Sequence, residues 1–389
     1  MIRPSRTFVM ALAIALAGGT ALAFHRQTPP VLALTTSGDT ALPRLPASGR
    51  TTLTLALPQV GGSSIVTIKP YRKPMLVTPL GGVGDNQNPA ISFTGTAVAY
   101  DTADDPTDSG LPGRQIVLAK SGTLLAVAGD PTGTSVNPAI DVAGQRIAFE
   151  STGDLANTGN VGHRQVFLRQ PTGGVSQASF GVGTSRNPTL SSRRSWIAFE
   201  STSAPGTGLD TGVEQIWLGT TTGIAAAPIT AGLGPSTRPS FSDDGHILAF
   251  QSTADLADTQ ANTGVPQIFI YDTKSKTSAQ LTFDAGGCTD PGVAKVKREW
   301  RVGFVCSGLA FFFTIRDDQR YHVATPDGVT TRLLPELGKH FLVVATTSDL
   351  VNGSGATAGQ QVYLVNLFKR PAAPWPTSPA VWFPYRGIK

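Results

Sequence analysis

Asn187-Pro188-Thr189-Leu190-Ser191, then Ile197-Ala198-Phe199-Glu200-Ser201-Thr202, then Gln215-Ile216-Trp217-Leu218: this stretch decides the fold, because the chain repeats it. The first segment recurs at Asn88–Ser92, Asn137–Asp141 and Arg238–Ser242, with prolines spaced by 49, 50 and 51 residues. The second recurs as Val98-Ala99-Tyr100-Asp101-Thr102, Ile147-Ala148-Phe149-Glu150-Ser151-Thr152 and Leu248-Ala249-Phe250-Gln251-Ser252-Thr253. The third recurs as Gln115–Leu118, Gln165–Leu168 and Gln267–Ile270. A period near 50 made of short β segments marks a propeller, each unit supplying one blade of four strands, a to d from the axis outward. The Pro predicts the first residue of strand a, where its missing N–H costs no ladder bond. The Ile-Ala-Phe run predicts strand b, its small Ala suited to close packing between blades. The Gln-led run predicts strand c, and a weaker outer strand d follows, as at Ser278–Thr282.

The pattern continues in degraded form. Pro291 opens a fifth unit with strand b near Trp300–Val305, and a sixth has strand b at Leu342–Val344 and strand c at Gln361–Leu364. No clear strand d follows it. Met75-Leu76-Val77-Thr78 precedes Asn88-Pro89 as each strand d precedes the next Pro. It is therefore expected to complete the sixth blade and remove the open sheet edges of an unclosed ring. Five blades with an extra hairpin is the alternative. The Pro, the Ile-Ala-Phe strand and the Gln-led strand together resemble the repeats of TolB-like (WD-repeat-like) six-bladed β-propellers over roughly residues 75–367. That resemblance implies an all-β fold and leaves the ligand open.

Composition agrees with many short strands and turns: of 389 residues, 43 are Gly and 29 Pro, while only 15% are charged. Arg3 and Arg6, the apolar run Phe8–Ala17 and the Ala21-Leu22-Ala23 site read as a signal peptide over residues 1–23, with an uncleaved anchor as the alternative. A periplasmic or secreted protein follows, not integral to the membrane once cleaved. Residues 24–73 form an N-terminal segment that could hold a β-hairpin, residues 74–367 the propeller, and residues 368–389 a Pro- and aromatic-rich tail. The formal charge of +5 is uneven. The propeller body carries 19 basic and 25 acidic residues, whereas the tail carries four basic residues and no acid. The high pI thus belongs to the ends and argues against a nucleic-acid-binding face.

In a propeller the b–c and d–a loops share one face. The b–c loops here hold 12 of the body's 25 carboxylates. Asp101, Asp105, Glu150, Asp154, Glu200, Asp210, Asp255, Asp258 and Asp349 are the candidate binding residues of an acidic loop face. Such a face suits a protein partner or a cationic ligand. Ca²⁺ is a second reading, since carboxylates and Asn oxygens are its preferred donors, but no loop carries a full alternating Ca²⁺-loop pattern. A third is that these side chains only stabilise turns. Otherwise no cofactor is expected. The sequence has no Gly-x-Ser-x-Gly and no His-Glu-x-x-His, and its five histidines are scattered. A non-catalytic, monomeric binding propeller is therefore expected, with a polysaccharide- or peptide-processing enzyme at the channel mouth as the alternative. Cys288 and Cys306 lie 18 residues apart across the expected first hairpin of blade five. In an exported chain they are a candidate disulfide, with two buried thiols as the alternative.

Overall fold

The structure, a computed structural model, describes most of residues 84–315. Outside that span it describes strands from Val31–Ala33 to Met75–Leu76, and strand backbone from Gln319 to Asn366. The signal-peptide stretch, the tail, Asp258 and Asp349 lie outside the described residues.

The chain is all-β, built from antiparallel sheets in sequence order. Blade one holds Asn86–Ile91, Ala97–Thr102, Gln115–Lys120 and Thr123–Ala128; blade two holds Ser135–Ile140, Ile147–Ser151, Gln165–Arg169 and Val175–Gln177. Blade three holds Ser185–Leu190, Trp196–Ser203, Asp210–Thr220 and Ala227–Pro228; blade four holds Ser236–Phe241, Ile247–Ser252, Gln267–Asp272 and Thr277–Gln280. Blade five holds Cys288–Val296, Glu299–Cys306, Leu309–Thr314 and Gln319–Val323. Strand a of each contacts strands a and b of the one before, so the blades succeed one another side by side.

Two features differ from the sequence expectation. Met75–Leu76 does not complete the last sheet; it pairs with Gly62–Ile68, which pairs in turn with Leu53–Gln59, in a separate three-stranded sheet. This N-terminal sheet packs on strand a of blade one as one blade packs on the next. The last sheet, Arg332–Leu337, Phe341–Ser348 and Ala356–Asn366, instead takes Val31–Ala33 on its outer edge. The described residues thus form seven sheets, one more than the repeats predicted. The extra sheet had no Asn-Pro or Ile-Ala-Phe signal to announce it.

The second difference concerns the Pro. Strand a starts three residues before it, at Asn86, Ser135, Ser185, Ser236 and Cys288. The residue preceding each Pro (Asn88, Asn137, Asn187, Arg238, Asp290) has φ between 45° and 57°, and the register with strand b shifts at the same place. This is a β-bulge, which gives the Pro a mid-strand position where no ladder bond is lost. Asn and Asp tolerate the left-handed conformation better than other non-glycine residues.

The core lies between blades. Ala99, Ala148, Ala198 and Ala249 are fully buried, as are Phe149, Phe199 and Phe250. Strand b aromatics stack on strand c aromatics across the sheet in blades two to five, with centroids 5.6–6.4 Å apart. Blade one departs from this: Tyr100 stands where its neighbours have Phe. Its hydroxyl is buried without a partner, and burial, then the nearby Asp104 charge, push its pKa up to about 12. An orphaned buried hydroxyl costs about 1–3 kcal/mol. Tyr100→Phe should therefore raise stability by about 1 kcal/mol or more in urea unfolding.

Cys288 and Cys306 are joined by a disulfide. They are directly opposed on strands a and b. The equivalent pairs in blades two to four are buried serines joined through their hydroxyls: Ser135–Ser151, Ser185–Ser201 and Ser236–Ser252, at 2.8–3.0 Å. Blade five thus replaces a hydrogen bond by a covalent one at the same place. Replacing both cysteines by Ala should cost about 3 kcal/mol for a loop of this length. Replacing both by Ser should recover about 1 kcal/mol of that, as the serine pair re-forms, measured by denaturant melts of the two double variants.

Candidate functional site

The repeated polar residue ending strand b reaches across the blade boundary. Asp101 accepts the backbone N–H of Asn137 (3.0 Å), Glu150 that of Asn187 (2.8 Å), Glu200 that of Arg238 (2.6 Å), and Gln251 that of Asp290 (3.0 Å). Each of these N–H groups belongs to the bulged residue of the next blade, whose left-handed conformation turns it away from its own ladder. The side chains of Asn88, Asn137 and Asn187 close the motif within the blade, donating to Asp101, Glu150 and Glu200 at 2.7–2.8 Å. Asn137 also donates to Asn187 at 3.0 Å, linking neighbouring first strands. The bulge, the Asn-Pro and the strand-b acid are one device, a latch from each blade to the next.

Arginines neutralise the latches. Arg114 pairs with Asp101 and Asp85, Arg164 with Glu150 (2.8 Å), Arg186 with Glu200 (2.9 Å) and Glu214 (2.7 Å), and Arg238 with Asp290. Asp101, Glu150 and Glu200 are buried. Burial pushes the Glu200 carboxyl up, against the opposing pull of Arg238 N–H, Asn187 and Arg186. These three candidates therefore hold blades together and do not present free charge on the loop face.

Asp105 and Asp154 do lie in the loops and Asp210 opens strand c of blade three; each caps its own turn. Asp105 accepts from Ser109 N–H (2.9 Å) and Gly110 N–H (2.6 Å), and Asp154 from Thr158 N–H (2.7 Å) and Gly159 N–H (3.0 Å). Asp210 accepts from Gly212 N–H at 3.0 Å. These bonds hold all three carboxyls below their ordinary pKa, led by Ser109 for Asp105, Thr158 for Asp154 and Thr202 for Asp210. They remain anionic and are at least partly exposed. Asp255 is half-buried in the equivalent loop of blade four. Among the described residues, no three His, Cys, Asp or Glu side chains cluster as a metal would require.

The repeated Gln of strand c is also architectural. Gln165, Gln215 and Gln267 donate to the carbonyls of Gly181, Gly232 and Asp284, and accept from Ser179, Thr230 and Thr282. They fix the d–a connection against strand c. A further repeat went unread in the sequence. Gly84, Gly133, Gly183, Gly234 and Gly286 each stand five residues before the bulge Pro. A Cβ at Gly183 would lie 2.6 Å from the backbone N of Ser203, and one at Gly234 3.0 Å from the backbone N of Ala254. This glycine lets the d–a connection lie directly on the b–c loop.

The loop face also exposes apolar side chains. Phe180 and Val182 in one d–a connection, Leu209 in the b–c loop of blade three and Leu233 in the next d–a connection are 50–100% exposed. The first three form one surface, since Val182 N–H donates to the Gly208 carbonyl at 2.8 Å. Leu209 adjoins the exposed Asp210.

On the opposite face, blades three to five are clamped by side chains. His246 stacks on Trp300 (4.9 Å), Lys295 Nζ sits 4.7 Å above the same ring, and Arg194 meets His246 Nδ1 at 3.3 Å. Asp244 accepts from Lys295 (2.7 Å) and Trp300 Nε1 (3.2 Å). Burial opposes its ionisation, but the bonds from Lys295, Ser242 and Trp300 bring its pKa down to about 2. The stability it contributes is full above the ordinary 3.8 and is lost as the pH falls towards about 2. Thermal melts of Asp244→Asn should therefore fall below wild type at neutral pH and converge on it in acid.

No family model matches the chain, and no curated protein matches it in sequence. Solved structures do. An oligogalacturonate lyase in complex with manganese is 13% identical, over 87% of this chain and 92% of that one, with a TM-score of 0.58. An oligogalacturonate lyase from Vibrio parahaemolyticus is 9% identical over the same shares, with a TM-score of 0.57. A putative TolB from Agrobacterium tumefaciens is 18% identical, over 62% of this chain and 80% of that one, at a TM-score of 0.44, too low to carry an argument. At these identities the likeness is one of fold alone: the chain is a β-propeller.

Proposed function

We propose that this protein is a non-catalytic binding propeller of the cell envelope or secretome, taking a protein partner on its b–c/d–a loop face. The observation that carries this reading is the exposed apolar surface of Phe180, Val182 and Leu209 beside anionic Asp210, with Leu233 exposed on the next d–a connection. Exposed apolar groups gathered on one face of a protein mark interaction sites. The latch carboxylates are committed to architecture, and the turn-capping acids give the face its charge. Export rests on the signal-peptide reading of residues 1–23. The test is capture from envelope extract by immobilised wild type and by Leu209→Asp/Leu233→Asp, with folding checked by circular dichroism. A partner held by wild type and lost by the variant supports the reading; identical capture by both sinks it.

A second reading, an enzyme acting on a polysaccharide or peptide at the channel mouth, draws on the exposed His163 in the b–c loop of blade two and on the fold likeness to two oligogalacturonate lyases. Turnover of an oligosaccharide or peptide panel, lost in His163→Ala, would favour it.

We also infer that the ring has seven blades, with Val31–Ala33 as its closing strand. The N-terminal sheet packs on blade one as blades pack on each other, and Val31–Ala33 pairs with the last long strand.

A further inference from the structure

The proposed loop-face site has an occupant of matching chemistry within the same sequence. We infer that the surface of Phe180, Val182 and Leu209, with the exposed Leu233 of the next d–a connection, receives the C-terminal segment 368–389 of a second copy of this chain; this rests on the reading of that face as a binding surface.

Three observations combine. The first is charge. The face carries Asp105, Asp154 and Asp210 as carboxylates held ionised by their turns, and the arginines in its latches are already paired with acids. Segment 368–389 carries Lys369, Arg370, Arg386 and Lys389 and no acid.

The second is shape and apolar content. The segment sets Trp375, Trp382, Phe383 and Tyr385 among five prolines. A chain this rich in Pro favours the extended polyproline conformation, whose ordering on binding costs little entropy. Aromatic side chains on such a chain bury large areas against shallow apolar surface. The receiving surface is of that kind: leucine, valine and phenylalanine on glycine-rich connections, with Leu233 fully exposed.

The third is topology, and it selects a second copy over the same molecule. Strand Ala356–Asn366 follows its b–c loop and so runs away from the loop face. The segment therefore leaves on the opposite face, and from the last sheet, whereas the apolar surface belongs to blades two to four. To reach its own loop face the segment would have to start from the opposite face and from a distant sheet. A neighbouring molecule stacked on the loop face has no such detour. The contact is head-to-tail, pairing two different surfaces.

Head-to-tail pairing gives a test by complementation with the full chain. One variant, Leu209→Asp/Leu233→Asp, keeps its C-terminal segment and loses the receiving surface. The other, Trp382→Ala/Phe383→Ala, keeps the surface and loses the aromatics. Circular dichroism melts identify any variant that fails to fold, and Val182→Asp and Trp375→Ala then replace the failed pair. In sedimentation velocity, wild type should associate in a concentration-dependent way that weakens at 0.5 M salt. Each variant alone should stay monomeric, or nearly so, and a 1:1 mixture should form a heterodimer that does not grow further. Monomeric wild type at all accessible concentrations, unaltered association in either variant, or a mixture that stays monomeric would overturn the inference. If complementation fails while Leu209→Asp/Leu233→Asp still loses a partner from extract, the binding face stands and only its occupant is wrong.

Discussion

Glu200→Ala should destabilise the protein by about 3 kcal/mol, because it orphans a backbone donor at a blade boundary. The Glu200 carboxylate accepts from Arg238 N–H and Asn187 Nδ2 and pairs with Arg186 Nε. Hydrogen bonds to a charged group contribute about 1.5–3 kcal/mol each, and a buried N–H left without a partner bears the full desolvation cost. Arg186, being half-exposed, would be solvated after the loss. The informative comparison is Glu200→Gln. Blade four already uses Gln251 at this position to hold Asp290 N–H at 3.0 Å. An amide oxygen is thus a competent acceptor here, and Glu200→Gln should cost less than half as much as Glu200→Ala. The pH dependence has a definite sign. Because burial raises the folded-state pKa of Glu200 above the ordinary 4.5, the part of its contribution linked to protonation is full below 4.5 and is lost as the pH rises through the raised value, leaving the hydrogen bonds to the carboxylate. Glu200→Gln should therefore close on wild type as the pH rises, as followed by urea unfolding at several pH values.

Gly183→Ala should cost about 2–3 kcal/mol, the upper end of what overpacking a tight contact costs. A single methyl there would meet the backbone N of Ser203 at 2.6 Å and the Thr202 hydroxyl at 2.7 Å. Neither can retreat without moving the start of the b–c loop, since Ser203 N–H is held by the Ser201 hydroxyl at 3.1 Å. Gly174→Ala is the control: nothing lies within 4 Å of its Cβ, so it should be neutral or slightly stabilising. Because Gly183 seats the connection that carries Val182, its replacement should also weaken any ligand of the apolar surface, read as a partner affinity that falls with the melting temperature.

Strand positions in blades one to five were legible because two signals coincide there. Apolar runs such as Ile147-Ala148-Phe149 fill the space between sheets, and the repeat places them every 50 residues or so. The bulge was less legible. Asn-Pro reads equally well as a strand start or as a mid-strand kink, and only the pairing of Ser185 with Ser201 on its far side decides between them. Met75–Leu76 was placed in the wrong sheet for a similar reason. Met75–Leu76 and Val31–Ala33 are both short apolar runs, and the choice between them depends on tertiary pairing that no local pattern encodes. The acidic loop residues were read as one class, yet they separate by burial. Glu200 points to the next blade's backbone, whereas Asp105 folds onto its own turn. Latch and turn cap stand four positions apart, as Asp101 and Asp105 or Glu150 and Asp154, and charge counting is blind to the difference. The apolar surface was missed because Phe180, Val182 and Leu209 are spread over 30 positions and come together only through stacked connections. The glycine five residues before each Pro was the one sequence signal that those connections stack.

The repeated strand-b polar residues are latches between blades. Native-state hydrogen exchange at the amides of Asn137, Asn187, Arg238 and Asp290 tests this most directly. Each should exchange as slowly as the strand-b core amides, although none is bonded within its own ladder, and Glu200→Ala should release Arg238 alone among the four. Exchange at the rate of exposed loop amides in the wild type would contradict the account.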